Sequence, residues 1–335
     1  MKMFTTLGLA GVFCAACATG QMYQTPDEVP DDYPNPWLQG EYLGEAEING
    51  QQTAFGVQVV TRGDDEFRAL IFPNGLPGMD DVDGEPADTL ETVRDNDYLV
   101  FHGDGYSLRV AGGTMTAVND DGDAFGVLER TVRESPTLGK EPPEGAVVLF
   151  DGTDVDMWED GAEMREDGLL REGALSRDDF ADAYIHLEFM NPYFTESRVN
   201  SGVYIMRRYE VQIYESFGYP NAQQNEAALY NERAPDINAS LPPLQWQTFD
   251  IWFRAPRFDE DGEKTENVRI TVKHNGVLVH DDVELEGGTG AGGSLEEVAA
   301  AQLYLQDHNA ETLFRNVWLV EDLDYEGAIT EIERD

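Results

Sequence analysis

Cysteine is almost missing from this chain. Its 335 residues include two, Cys14 and Cys17, both near the start, so the body of the protein holds neither a disulfide framework nor a thiol nucleophile. Histidine is scarce as well: five residues, with no H-x-H or H-E-x-x-H spacing, which argues against a zinc site. Positive charge is in short supply, with 22 Lys+Arg against 66 Asp+Glu and a formal net charge of −44. Such a field repels phosphate backbones and anionic lipid surfaces, so nucleic acid is not an expected partner. The acidity otherwise reads as a solvated surface suited to saline surroundings. Helical periodicity is also lacking, and "SLEEVAAAQ" offers a short turn at most.

What is present is enough apolar material for real cores: 41% hydrophobic and 10% aromatic residues. The opening "MKMFTTLGLAGVFCAACATGQ" joins Lys2 to an apolar stretch ending in small residues. That pattern predicts an export signal over residues 1–20, too short to span a bilayer as a mature helix. Ala15-Ala16-Cys17 is similar to the end of a bacterial lipoprotein box, which would make Cys17 the lipidated first residue, although Cys14 stands where Leu is usual. Ala16-Cys17-Ala18 also fits ordinary cleavage, so periplasmic, outer-membrane lipoprotein and secreted fates all stay open. Contact with a membrane is expected only through such an anchor.

A proline- and acid-rich linker over 21–36 precedes short alternating runs such as "AFGVQVVT", "FRALIF" and "YSLRVA". Period-2 hydrophobicity with turn residues every 8–12 positions predicts a small all-β domain over 37–133. A second linker, 134–145, leads to a larger β unit over 146–323 and an acidic tail over 324–335. In the larger unit, Ile185, Leu187 and Phe189 alternate with Tyr184, His186 and Glu188, and Asn275-Gly276 marks a type I′ hairpin turn. Many strands and few helices point to a two-sheet sandwich or jelly roll.

The opening "LFDGTDVDMW" and, in order, "YIHLEF", "NSGVYIM", "YEVQIYES", "AALYNERAP", "LYLQDHN" and "FRNVWL" carry a resemblance over about residues 144–321. This stretch resembles the 3-keto-disaccharide hydrolase family (3-keto-glucoside 1,2-lyase / 3-keto-2-hydroxy-glucal hydratase domain). The preceding unit is similar to a small planctomycete-type β domain, to which no activity attaches. The resemblance implies a concanavalin-like jelly-roll sandwich with a carbohydrate-binding concave face. It also implies an enzyme that cleaves 3-keto-glycosides without a cofactor, by removing the C2 proton, eliminating the C1 oxygen and hydrating the product. A non-catalytic, lectin-like carbohydrate-binding module is the alternative, because one fold hosts both.

Within that frame, Glu210 shares a strand face with Gln212 and Tyr214, while Glu215 falls on the opposite parity. The two-carboxylate pair of a plain glycosidase is therefore lacking on this strand. Glu210 and His308 are the acid–base candidates, with Asp307 orienting the imidazole. Glu188, Asn200, Gln212, Tyr230, Gln306, Asp307 and Arg315 are the candidates for substrate binding, with His186, Ser201, Trp246 and Asn316 as weaker ones. The acidic loops 80–86 and 119–126 leave calcium open, although neither supplies the full EF-hand ligand set. The substrate class is a small glycoside or oligosaccharide; the oligomeric state is not legible.

Overall fold

The computed structural model describes residues 22–332, apart from 32, 34, 49–50, 64, 81, 83, 96, 195–196 and 309–310. The export segment, Cys17 and Asn309 lie outside the described residues.

The first domain is one eight-stranded antiparallel sheet: β1 (Gly40–Ile48), β2 (Gln51–Thr61), β3 (Glu66–Pro73), β4 (Asp88–Val93), β5 (Tyr98–His102), β6 (Tyr106–Ala111), β7 (Thr114–Asn119) and β8 (Ala124–Thr131). The strand order β4-β3-β2-β1-β8-β7-β6-β5 joins two meanders through the β1–β8 pairing. Its two end strands meet, with the Thr92 hydroxyl donating to the Val100 carbonyl at 2.6 Å, so the sheet curls nearly into a barrel. Tyr42, Val57, Val59, Phe67, Leu99, Phe101, Leu108 and Met115 fill its interior. The acidic loop 119–126 is the β7–β8 turn, in which the Asn119 side chain accepts from the Asp123 amide.

The second domain has two main antiparallel sheets. Its strands are β9 (Val147–Phe150), β10 (Leu175–Phe180), β11 (Ala183–Met190), β12 (Asn200–Ile205), β13 (Tyr209–Tyr214), β14 (Trp246–Arg254), β15 (Val268–His274), β16 (Val277–Leu285), β17 (Ala301–Leu305) and β18 (Leu313–Glu321). The larger sheet runs β9-β18-β11-β14-β15-β16, with Leu170–Arg171 also paired to β18; the smaller runs β10-β17-β12-β13. One hydrophobic cluster draws on both, from Val203, Val211, Ile213 and Leu305 of the smaller sheet to Leu187, Phe249, Ile251, Val272 and Val317 of the larger. The alternation read from the sequence holds here, with the apolar partners of each strand buried together. Asn275 (φ 52°) and Gly276 (φ 81°) make the β15–β16 turn as expected. The "SGVYIMRRYEVQIYE" run is a hairpin, turning on Met206 and Arg207, both at positive φ.

Two segments differ from expectation. The 134–145 linker lies along the large sheet: the Thr137 hydroxyl donates to Asp250 at 2.6 Å and the Gly139 amide to Glu188 at 2.6 Å. The acidic tail includes the helix α1 (Tyr325–Glu331), capped by Asp324, with Tyr325 and Ile329 buried. The barrel meets the second domain where Val60, Leu70, Phe72 and Val82 enclose Phe217.

Candidate active site

Each sheet of the second domain turns one face to the shared core and the other outward. On the smaller sheet the outward positions of β13 are Glu210, Gln212 and Tyr214. Opposite them on β12 stand Tyr204, Gly202 and Asn200, and Tyr304 of β17 pairs with Tyr204. The strand period thus assembles a carboxylate, amides and tyrosine rings on one surface.

Glu210 is 3% exposed. Burial pushes its carboxyl up to about 7, against a hydrogen bond from Tyr204 that pulls the other way. Its Oε2 has no hydrogen-bond partner among the described residues, and neither does Oε1 of Gln212 or of Gln306. Buried acceptors are normally satisfied, so three vacant ones on and beside one face mark a surface built for a polar ligand. Gly202 makes room for the carboxylate, since a Cβ there would sit 2.5 Å from Glu210 Oε1. A loop rich in glycine covers the site from the other side. Its Thr289 hydroxyl accepts from the Glu210 amide at 2.7 Å, and a Cβ on Gly290 would lie 2.5 Å from the Tyr230 ring and 3.6 Å from Glu210 Oε2.

The segment after β17 continues from this face. The Gln306 amide donates to the Gly202 carbonyl at 2.8 Å, and the Asp307 amide to the Tyr304 hydroxyl at 3.3 Å. Asp307 and His308 are exposed. The His308 amide donates to Glu172, a half-buried carboxylate whose pKa is raised to about 8 by burial and by the nearby charges of Asp307 and Glu311.

Glu188 and Arg315 were candidates for binding the same substrate as Glu210. They lie instead on the outward face of the larger sheet, with His186, Asp250, Asn316 and Trp318. The parity of Glu188 was legible; the layer its strand joins was not. A bulge in β18, where Asn316 takes φ 47°, turns both Arg315 and Asn316 toward Glu188, which accepts from them at 2.6 and 2.9 Å. The Arg315 guanidinium also lies 3.9 Å from the Trp246 ring centroid, which occupies that ring's face. Burial would raise the Glu188 carboxyl, but hydrogen bonds from His186, Asn316, Arg315 and the Gly139 amide outweigh it and hold it at about 2. His186 is stacked on Trp318 at 5.0 Å; burial disfavours its charge, yet Asp250 and Glu188 keep its pKa above the usual imidazole value. Glu188, Arg315 and Lys140 line their own cleft of about 510 Å³.

The smaller sheet therefore brings together Glu210, Gln212, Tyr230, Asn200 and the backbone of Gln306, with Asp307 and His308 following at its edge. Tyr204, Tyr304, Glu172 and the 287–293 loop escaped the sequence reading. The signals were there: Tyr204 and Tyr304 have the outward parity of their strands, and "GGTGAGG" is a dense glycine run.

An all-β domain with an aromatic, amide-rich sheet face around a lone buried carboxylate is the kind of surface that handles carbohydrate. Residues 145–320 match the 3-keto-alpha-glucoside-1,2-lyase-like domain, and the chain belongs to that family. Among solved structures it is similar to three from Parabacteroides distasonis ATCC 8503, each described as a putative glycosyl hydrolase. One is 29% identical, covering 53% of this chain and 84% of that one with a TM-score of 0.48. Another is 16% identical, covering 54% and 95% with a TM-score of 0.41. The third is 17% identical, covering 52% and 98% with a TM-score of 0.38. No curated protein matches the chain.

Proposed function

We propose that this protein is an exported lyase–hydrolase that cleaves 3-keto-glycosides on the outward face of its smaller sheet. The two sheets are taken as a concanavalin-like jelly roll with that face concave. The observation that carries the reading is Glu210: buried, raised to about 7, and with one oxygen lacking a partner among the described residues.

A ketone at C3 makes the C2 hydrogen acidic, because the anion left behind is an enolate. Glu210 takes that proton. The electron pair of the C2–H bond forms the C1–C2 double bond, and the C1–O bond breaks with its electrons going to the leaving oxygen, which collects a proton. Water then adds across the double bond, so the sum is hydrolysis. The hydroxyl of Tyr304 and the Gln212 N–H not engaged by the Gln224 carbonyl are the donors for the enolate oxygen and ring hydroxyls on this face, while the Tyr204 hydroxyl is held by Glu210. The proton for the leaving group is assigned to the edge of the site, where Glu172 is protonated at neutral pH and His308 follows Gln306.

Export rests on the Lys2-led apolar segment ending in small residues, with Cys17 as lipid anchor or ordinary cleavage as its two outcomes. Mixing the protein with a 3-keto-disaccharide and analysing products by mass spectrometry tests the reading. Release of the free 3-keto-sugar, lost in Glu210→Gln, supports it. Tight binding of intact glycans with no bond cleaved would make the domain a lectin instead.

A further inference from the structure

Between the barrel and the second domain lies a cleft of about 290 Å³, lined by Thr61 and Arg62 of the barrel and by Tyr193, Arg198, Glu215 and Tyr219 of the second domain. Its floor is an alternation of rings and guanidinium groups. Arg198 lies 3.8 Å from the Tyr214 ring centroid and 4.0 Å from that of Tyr219, and Arg62 reaches across from the barrel to 5.2 Å from Tyr219. Arg198 is fixed in place by the Glu215 carbonyl, the Ser216 hydroxyl and the Asn225 amide oxygen.

Tyr214 links this cleft to the site already described: it lies beneath Arg198, which lines the cleft, and stands on the same face of the same strand as Glu210 and Gln212. Four residues at roughly 3.3 Å each put it about 13 Å from Glu210, a span that a linked pair of pyranose rings fills. The direction follows from the chemistry. The bond that breaks is at C1 of the oxidised ring, so in a disaccharide everything beyond that ring is leaving group. Arg198 is spent on holding the Tyr214 and Tyr219 rings, which leaves the Arg62 guanidinium as donor and the Glu215 carboxylate as acceptor for the hydroxyls of a sugar unit.

We propose that this cleft is the leaving-group subsite, that it takes the second sugar unit of a 3-keto-glycoside, and that the barrel contributes Arg62 to it. The proposal rests on Glu210 acting at the oxidised ring, and it gives the first domain a place in substrate selection.

The test uses the full chain and two substrates, a 3-keto-disaccharide and methyl 3-keto-glucoside, whose leaving group is too small to reach the cleft. In Arg62→Ala the ratio of kcat/KM for the disaccharide over the methyl glycoside is expected to fall about tenfold, carried by KM, as loss of one charge-assisted hydrogen bond predicts. Arg62→Lys should recover part of it. A ratio equal to wild type, whether the two rates hold or drop together, overturns the subsite. A second measurement does not depend on turnover: calorimetric titration of the unoxidised disaccharide into Glu210→Gln, with and without Arg62→Ala. Binding that weakens about tenfold with the arginine removed supports the cleft even if no keto-glycoside is ever cleaved, in which case the catalytic reading fails alone. Binding insensitive to Arg62, or none at millimolar sugar, overturns the cleft.

Discussion

Glu188 and Glu210 stand on strands of two sheets that share one core, each on the face turned away from it, and each is almost wholly buried. Their surroundings differ. The carboxylate of Glu188 accepts from Arg315, Asn316 and the Gly139 amide, and its pKa sits at about 2. Glu210 has a tyrosine and an unused oxygen, and its pKa sits at about 7. The same side chain is held as an anion where donors surround it and is pushed toward neutrality where burial outweighs a single donor. The linker reinforces the division, since it closes over Glu188 and leaves the smaller sheet's face alone.

Substitutions should separate the two glutamates. Glu210→Gln is expected to lower kcat by roughly 10³-fold, the scale of a lost general base, while thermal unfolding stays at or above that of the wild type. A stability loss instead would make Glu210 an anchor like Glu188. Glu188→Ala leaves Arg315 and His186 without their shared carboxylate and should cost about 3 kcal/mol in denaturant melts, with turnover per folded molecule near wild type.

The pH dependence sharpens the contrast. Turnover should rise about tenfold per pH unit up to about 7, where Glu210 ionises, and fall again above about 8, where Glu172 gives up the proton assigned to the leaving group. The effects on stability have opposite signs. The Glu210 pKa is raised from 4.5, so its contribution is full below pH 4.5 and is lost as pH rises through about 7. The Glu188 pKa is lowered from 4.5, so its contribution is full above that pH and is lost as pH falls through about 2. Melting curves of the two variants against pH should differ from wild type in these separate windows.

Smaller effects probe the packing around Glu210. Gly202→Ala places a Cβ against its carboxylate and should cut kcat roughly tenfold through misplacement of the base, read by steady-state kinetics. Tyr204→Phe removes the hydrogen bond that favours the anion, so the midpoint of the pH–rate profile should move up by roughly half a unit.

Strand parity was enough to pair Glu210 with Gln212 and Tyr214 and to turn Glu188 away from Leu187, because alternation is local. It was not enough to say which sheet Ala183–Met190 joins, and that misplaced Glu188 and Arg315. The bulge at Asn316 was equally hidden, since a single positive φ in an otherwise regular strand leaves little trace in residue type. Tyr204 meets Glu210 across the hairpin at Met206-Arg207, whose tight turn the sequence left open, and Tyr304 joins them through a pairing of distant segments, which no period of two discloses. The near-closure of the barrel depends on its end strands meeting, again a tertiary fact. The all-β class and the strand face that carries Glu210 were legible; the neighbours on that face were written in the pairing of strands.

The two domains also differ in when they can form. Every pairing of the first sheet lies between residues 40 and 131, so it can finish as soon as that stretch has left a ribosome or a translocation pore. In the second domain Val147 waits for Leu319, and the large sheet stays open until nearly the whole chain has emerged. Refolding should show a fast N-terminal phase followed by a slow one. The completed first unit would then offer Val60 and Phe72 as a ready platform for Phe217 while the later strands assemble.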